Sequence, residues 1–250
     1  VRGVLNRLVR PFGYEVVRPR KKIDPDILSD EDFLRILEVC QPFTMTSVER
    51  MYGLYQSVKY AVARDVPGDI VECGVWMGGS AMVAAMTLDL VGDTSRNLHL
   101  YDTFEGMTPP TEQDVNYQGV HANDFLDPGD RVDGESNVWA YASLEMVRKN
   151  LDLTGLPRDR FHLVKGRVED TIPDSMPDAI SVLRLDTDWY ESTAHELKHM
   201  FPVLSPGGAL IIDDYGHWRG SREATDEYFA AEGNILLNRL DYSGRIGIKA

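Results

Sequence analysis

Cysteine is scarce: Cys40 and Cys73 are the only two in 250 residues. Two thiols cannot build a disulfide scaffold, and their rarity suits a reducing cytoplasm. Long apolar runs are also missing. None approaches the roughly 18 residues that a membrane span needs. Basic residues are in deficit, with 26 Lys and Arg against 40 Asp and Glu and a net charge of −14. That balance argues against nucleic-acid binding, which relies on clustered positive charge. No segment repeats, and none is of low complexity. What the chain does have is 43% hydrophobic residues. That is enough for a sizeable core and excludes general disorder.

The first 22 residues differ from the rest. They hold seven Lys or Arg and one Glu, so +6 lies there and −20 on the remainder. Val4, Leu5, Leu8 and Val9 have helical spacing, which Pro11 and Gly13 stop early. The apolar stretch is too short for a signal peptide. This segment reads as an arm packed on the domain or on a second subunit. A membrane surface or an anionic partner is the alternative. Residues 1–66 are expected to form this arm and a helical lid region, and 67–250 the main domain.

The spacing predicts helices over 30–40 and 47–63, the second with Met51, Tyr55, Val58 and Val62 on one face. From residue 68 strands and helices alternate. DIVECG, NLHLYD, FHLVKG, AISVLRLD and GGALIIDD read as strands, and a segment without pattern runs from Thr103 to about Asn137. A last helix is predicted near 221–231 with Ser221 as its N-cap. NILLNRL and RIGIKA flank a turn signal at Asp241–Gly244 and read as a terminal hairpin. Alternation of this kind means a mostly parallel sheet with helices on both faces. Ligands then bind beyond the carboxyl ends of the strands, where the polar oddities of this sequence sit.

The first strand runs into VECGVWMGGSA, with glycines at 74, 78 and 79. The spacing is neither that of a dinucleotide loop nor that of a P-loop, which needs a lysine. A glycine turn before a helix still suits a small charged group. Asp102 ends the second strand, where a carboxylate can accept both hydroxyls of a ribose. An amino-acid-like group plus a ribose suggests S-adenosylmethionine. Gly74, Val75, Gly78, Ser80 and Asp102 are its candidate contacts. Glu72 could meet the ammonium or remain structural. Gly166, Arg167 and Val168, after the third strand, are placed at the adenine.

LRLDTDWYEST carries Asp186 and Asp188, and GGALIIDD ends in Asp213 and Asp214. Side chains at i and i+2 share one side of an extended strand, so Asp186 and Asp188 face one cleft if extension persists. Neighbouring strands lie about 4.8 Å apart, so four unpaired carboxylates there would repel. A hard divalent cation such as Mg2+ resolves the conflict. The alternative is solvation, or pairing with Arg184, His195 and Arg219. A haloacid-dehalogenase-type phosphatase also uses D-x-D after a strand. It places the motif on its first strand and wants Thr or Val where Tyr190 stands.

With ECGVWMGGS, YDTFEGM, LRLDTDWYEST and GGALIIDDYGHW in this order, the chain resembles the macrocin O-methyltransferase family of S-adenosylmethionine-dependent sugar O-methyltransferases. Residues 44–62 also look like that family's N-terminal lid. The resemblance implies a class I methyltransferase (Rossmann-like) α/β fold, a seven-stranded sheet with an antiparallel last strand. It implies Mg2+ on Asp186, Asp213 and Asp214, with Asp188 as general base. The expected substrate is a glycoside, either a natural-product deoxysugar or a bacterial polysaccharide or glycolipid sugar, and a homo-oligomer is expected. A catechol-type methyltransferase and a non-catalytic cofactor-binding scaffold are the competing readings. His217 is a rival base or a plain loop histidine. Tyr52, Tyr55 and the loop 103–138 are candidates for covering the substrate.

Overall fold

A computed structural model describes residues 24–124, 139–233 and 235–250. The basic arm, the far part of the long loop and Asn234, with which the hairpin was expected to start, lie outside the described residues.

Helices α1 (Pro25–Ser29), α2 (Glu31–Cys40) and α3 (Val48–Ala63) come first. The Asp30 carboxylate accepts the Phe33 N–H at 3.0 Å, and the Ser47 hydroxyl accepts the Arg50 N–H at 3.2 Å. Such caps satisfy donors that a first helical turn leaves open. Then follow β1 (Asp69–Cys73), α4 (Gly79–Leu90), β2 (Leu98–Asp102), α5 (Leu144–Leu151), β3 (Phe161–Lys165) and α6 (Val168–Thr171). The chain continues through β4 (Ile180–Leu185), α7 (Tyr190–Met200), β5 (Leu204–Ile212), α8 (Arg219–Glu232), β6 (Asn238–Arg239) and β7 (Arg245–Ile248). The strands form one sheet in the order β3-β2-β1-β4-β5-β7-β6. β1 to β5 are parallel, and β7 runs antiparallel between β5 and β6. The expected seven-stranded α/β sheet with a closing hairpin is therefore present.

Both faces of the sheet are covered, which is why its central strands read as continuous apolar runs. Alternate residues go to opposite sides. Ile70, Leu98, Leu100, Val182 and Ile211 pack with α2, α3 and α4. Val71, Cys73, Leu183, Leu185 and Ile212 pack with Leu197 and Met200 of α7 and Phe229 of α8. By the same parity Glu72 and Arg184 lie on the α4 side, where they are register partners. The sheet order reverses between β1 and β4, which opens a crevice at the carboxyl ends of the strands.

Two local expectations need correction. Helix α8 is present but begins at Arg219, two residues before the expected start, so Trp218 and not Ser221 is its N-cap; the Val115 carbonyl accepts the Arg219 N–H at 2.8 Å. A contact from a distant loop replaces the expected side-chain cap. Extension also does not persist past β4. Asp188 has φ +67°, so the chain turns sharply between the two aspartates. Among the described residues, no helix is long and apolar enough to cross a membrane.

Candidate active site

A cleft of about 420 Å³ opens at the ends of β1 to β5. Gly74, Val75, Ser80, Asp102, Gly166, Arg167, Val168, Asp186, Asp188, Asp213, Asp214 and His217 line it, as expected of them from the sequence. Glu72, Gly78, Tyr52 and Tyr55 do not.

The glycine loop is shaped by contact rather than by freedom alone. Gly74 has φ +83°, and a Cβ there would lie 1.9 Å from the Asp186 carbonyl oxygen. Only glycine lets β1 turn this close to the end of β4. Gly78, also left-handed, caps α4 without a side-chain bond, so the first N–H groups of that helix have no intrahelical acceptor. Asp102 binds the loop itself. Its Oδ2 accepts the Val75 and Trp76 N–H groups at 2.8 and 3.0 Å, and its Oδ1 accepts Phe104 N–H at 2.6 Å. Burial still holds this carboxyl above its usual range, against those three bonds. Asp102 thus shapes the glycine loop while bordering the cleft.

The acids are brought level by register. Cys73 pairs with Leu185, and Leu185 with Ile212, so Gly74, Asp186 and Asp213 leave the sheet side by side. One ligand oxygen each of Asp186, Asp213 and Asp214 lies within 4.8 Å of the others. Arg184, 2% exposed, is the partner within the fold. Its Nη2 donates to Asp213 Oδ1 at 2.6 Å, to Asp186 Oδ2 at 2.7 Å and to Thr46 Oγ1 at 3.0 Å. Its Nη1 pairs with Glu72 and donates to Ser80 Oγ at 3.3 Å. Glu72 is therefore a buried counter-ion under the loop, not a cleft residue, because strand parity turns it toward Arg184. Its carboxyl is pushed up by burial, and Arg184 opposes the shift. Arg50 of α3 pairs with the other oxygen of Asp213 and reaches Asp241 at 3.1 Å. His195 and Arg219, the other suggested partners, are engaged elsewhere: His195 with the Ile172 carbonyl, Arg219 with Glu223.

Two guanidiniums among the five carboxyls of Glu72, Asp186, Asp188, Asp213 and Asp214 leave three formal negative charges if all are ionised. The carboxyls of Asp186 and Asp214 are held well above their ordinary range, first by burial and then by charges around them. Asp188 is pushed up to about 7 by burial and by Asp186. Its Oδ1 accepts the Trp218 indole N–H at 2.7 Å, and its N–H donates to Asp214 Oδ2 at 3.2 Å. Between the two aspartates, the Thr187 hydroxyl bonds the buried Glu196 carboxyl at 3.0 Å. This bond pins the turn to α7.

Tryptophans, which carried no weight in the sequence, build much of the wall. Trp76, Trp189 and Trp218 line the cleft, and Trp139 joins Trp189, Ala122, Met107 and Trp218 in a small apolar cluster. The Trp189 indole N–H donates to the Thr108 carbonyl at 3.0 Å. Asp114, wholly buried, accepts the Thr111 N–H at 2.6 Å and the Tyr190 N–H at 3.0 Å. The described part of the long loop is thereby fastened to α7 and contributes Gly106, Met107 and Thr108 to the cleft. Tyr55 does not cover substrate. It is fully buried against Phe33 and Tyr52, with its hydroxyl bonded to Asp30 at 3.2 Å. Tyr52 borders a different hollow, beside Leu240 and Ile246. Helical spacing put both on the α2 side of α3. Phe43 to Thr46 and Arg50 are the N-terminal residues that reach the cleft.

A sheet of this order with its cleft at the β1–β4 reversal is the architecture of class I S-adenosylmethionine-dependent O-methyltransferases. The solved structure of the O-methyltransferase NovP superposes with a TM-score of 0.71 at 30% identity, covering 83% of this chain and 82% of that one. The family described as Macrocin-O-methyltransferase (TylF) matches residues 38–245. The chain belongs to that family. A 4'-O-methyltransferase of a rhamnosyl-tetracenomycin from Streptomyces olivaceus is 39% identical over 202 residues, 80% of this chain and 73% of that protein. A mycinamicin III 3''-O-methyltransferase from Micromonospora griseorubida is 34% identical over 192 residues, 74% and 69% of the two chains. The protein is an S-adenosylmethionine-dependent O-methyltransferase.

Proposed function

We propose that this enzyme methylates a sugar hydroxyl of a glycosylated small molecule, with Mg2+ held by Asp186, Asp213 and Asp214 and with Asp188 as the proton acceptor. The three converging carboxylates beside Asp188 carry the reading. The donor set fits a hard cation: all three ligands are carboxylate oxygens, and each Asp213 oxygen keeps a lone pair beyond its guanidinium bond. Relatives at 39% and 34% identity that methylate sugars of natural products support the glycoside.

When bound, S-adenosylmethionine supplies an electrophilic methyl group, and the cation supplies Lewis-acid polarisation of the acceptor hydroxyl. The chain's own residues do the rest. Asp188, with a carboxyl near neutrality, removes the hydroxyl proton, and the Trp218 N–H orients that carboxyl through its Oδ1. The Thr187–Glu196 bond holds the turn that presents it. Arg184 joins the acid cluster to Ser80 in the first turn of α4, so acceptor and cofactor ends are set by one side chain. The Trp189 and Trp139 cluster keeps one wall dry.

The test uses the purified chain, S-adenosylmethionine and a panel of aryl rhamnosides and catechols. Turnover of a rhamnoside that EDTA abolishes and Mg2+ restores is expected, as is its loss in Asp186→Asn. Full turnover in EDTA removes the metal from the mechanism. Methylation of catechols alone transfers the enzyme to the catechol class. The homo-oligomer is part of the same proposal and is read by sedimentation velocity.

A further inference from the structure

Asp213 is the most heavily engaged of the three converging acids. Each of its carboxylate oxygens meets a guanidinium, Arg184 on Oδ1 at 2.6 Å and Arg50 on Oδ2. Its main-chain carbonyl accepts the Ser243 hydroxyl at 2.7 Å. Whichever oxygen a dication takes, it stands beside two positive charges. The two arginines differ in what they are able to give up.

Arg184 has no alternative. Its side chain is 2% exposed and is tied to Glu72, Ser80, Thr46 and Asp186 as well as to Asp213. Arg50 does have one. It lies in the first turn of α3 and lines the cleft. Its Nε donates to Asp241 Oδ2 at 3.1 Å, a carboxylate outside the acid cluster, and to the Ser47 hydroxyl at 3.3 Å. Its stem is packed by the β6–β7 turn, where a Cβ on Gly244 would lie 2.7 Å from Arg50 Cγ and Cδ. Arg50 is therefore able to lose Asp213 and keep its place. Its charge stays near the cluster in either case, and like charges a few ångströms apart repel even at the dielectric of water.

We propose that Arg50 is the resident counter-charge of Asp213 and competes with Mg2+ for it, so that the metal binds against a built-in cation. The proposal rests on the metal part of the function reading and adds what sets the affinity of that site. Arg50 acts through Asp213, which makes it a positioning residue rather than a catalytic one. The sign of its effect separates two roles. Removing a contact that merely orients Asp213 weakens the metal, whereas removing a competing charge tightens it.

Isothermal titration with MgCl2 at about pH 8, on protein saturated with S-adenosylhomocysteine, reads that sign without turnover. Arg50→Gln keeps a hydrogen-bond donor and loses the charge. It should bind Mg2+ about tenfold more tightly than the unmodified protein, the scale of a unit charge about 5 Å from a dication in a water-like dielectric. Arg50→Lys keeps the charge and should stay within about threefold of the unmodified protein. Equal or weaker binding in Arg50→Gln overturns the proposal, as does a tightening in Arg50→Lys as large as that in Arg50→Gln. Mg2+ heat in Arg50→Gln with none in the unmodified protein leaves Arg50 as the cation of the site and removes the metal from the function reading. No heat in either protein overturns both.

Discussion

Replacing Arg184 by methionine keeps the length and most of the volume of the side chain and removes its charge. Arg184 is 2% exposed and pairs with Glu72, Asp186 and Asp213. In Arg184→Met, Asp213 retains Arg50, but Glu72 loses its ion partner and is already left with one oxygen unbonded. Breaking a buried pair from one side costs about 3–5 kcal/mol. For a chain of this size, each kcal/mol moves Tm by about 2–4 °C, so a fall of roughly 6–20 °C is expected. The deficit should depend on pH. An orphaned carboxyl has a folded pKa above its unfolded one, so it is harmless while protonated. Its cost grows as pH rises past the unfolded value of about 4 toward the raised one. Scanning calorimetry should show the largest gap from wild type at about pH 8 and a smaller one at about pH 5. Glu72→Gln added to Arg184→Met should recover part of the loss, because the partner left behind is then neutral. A Tm within about 2 °C of wild type at pH 8, or a deficit that ignores pH, would refute the assignment of Arg184 as the counter-ion of this cluster.

Two other measurements bear on the site. Burial and neighbouring charge hold Asp188 at about 7 and Asp186 and Asp214 well above their usual range, so a cation must displace protons. Mg2+ affinity should therefore rise as pH rises and the ligand carboxyls lose their protons. Titration heats at about pH 6 should differ between buffers of different ionisation enthalpy, and identical heats would count against proton displacement. Thr187→Val removes the donor to Glu196, which is wholly buried. The variant should lose about 1–3 kcal/mol and lower kcat more than affinity for S-adenosylhomocysteine, with Thr187→Ser restoring both. An unchanged Tm and kcat in the valine variant would show that the bond positions nothing.

The succession of strands along the chain, the glycine loop and the four aspartates were legible because each is local. An apolar run that stops at a charge marks a strand end in any parallel sheet. What the spacing could not show was the turn at Asp188, since period-two reasoning holds only while the backbone stays extended. Arg184 was readable as one possible partner, but its register with Glu72 depends on the pairing of β1 with β4. Arg50 was invisible: its contact with Asp213 spans 163 positions. Tyr52 and Tyr55 were misread because periodicity groups residues on one face without saying what lies opposite. The tryptophans gave no signal, although a count of four, three of them beside predicted strand ends or acids, hinted at a lined cavity.

The antiparallel insertion of β7 has a consequence for how the enzyme comes into being. β6 joins the sheet only through β7, and the turn between them supplies Asp241 to Arg50 and Ser47. The first turn of α3 is thus secured by residues made almost two hundred positions later. A chain still on the ribosome can assemble β1 to β5 and their helices, but Arg50 lacks one of its two anchors until residue 241 emerges. The guanidinium that Arg50 offers to Asp213 is thus held in place only once the β6–β7 turn has folded against α3.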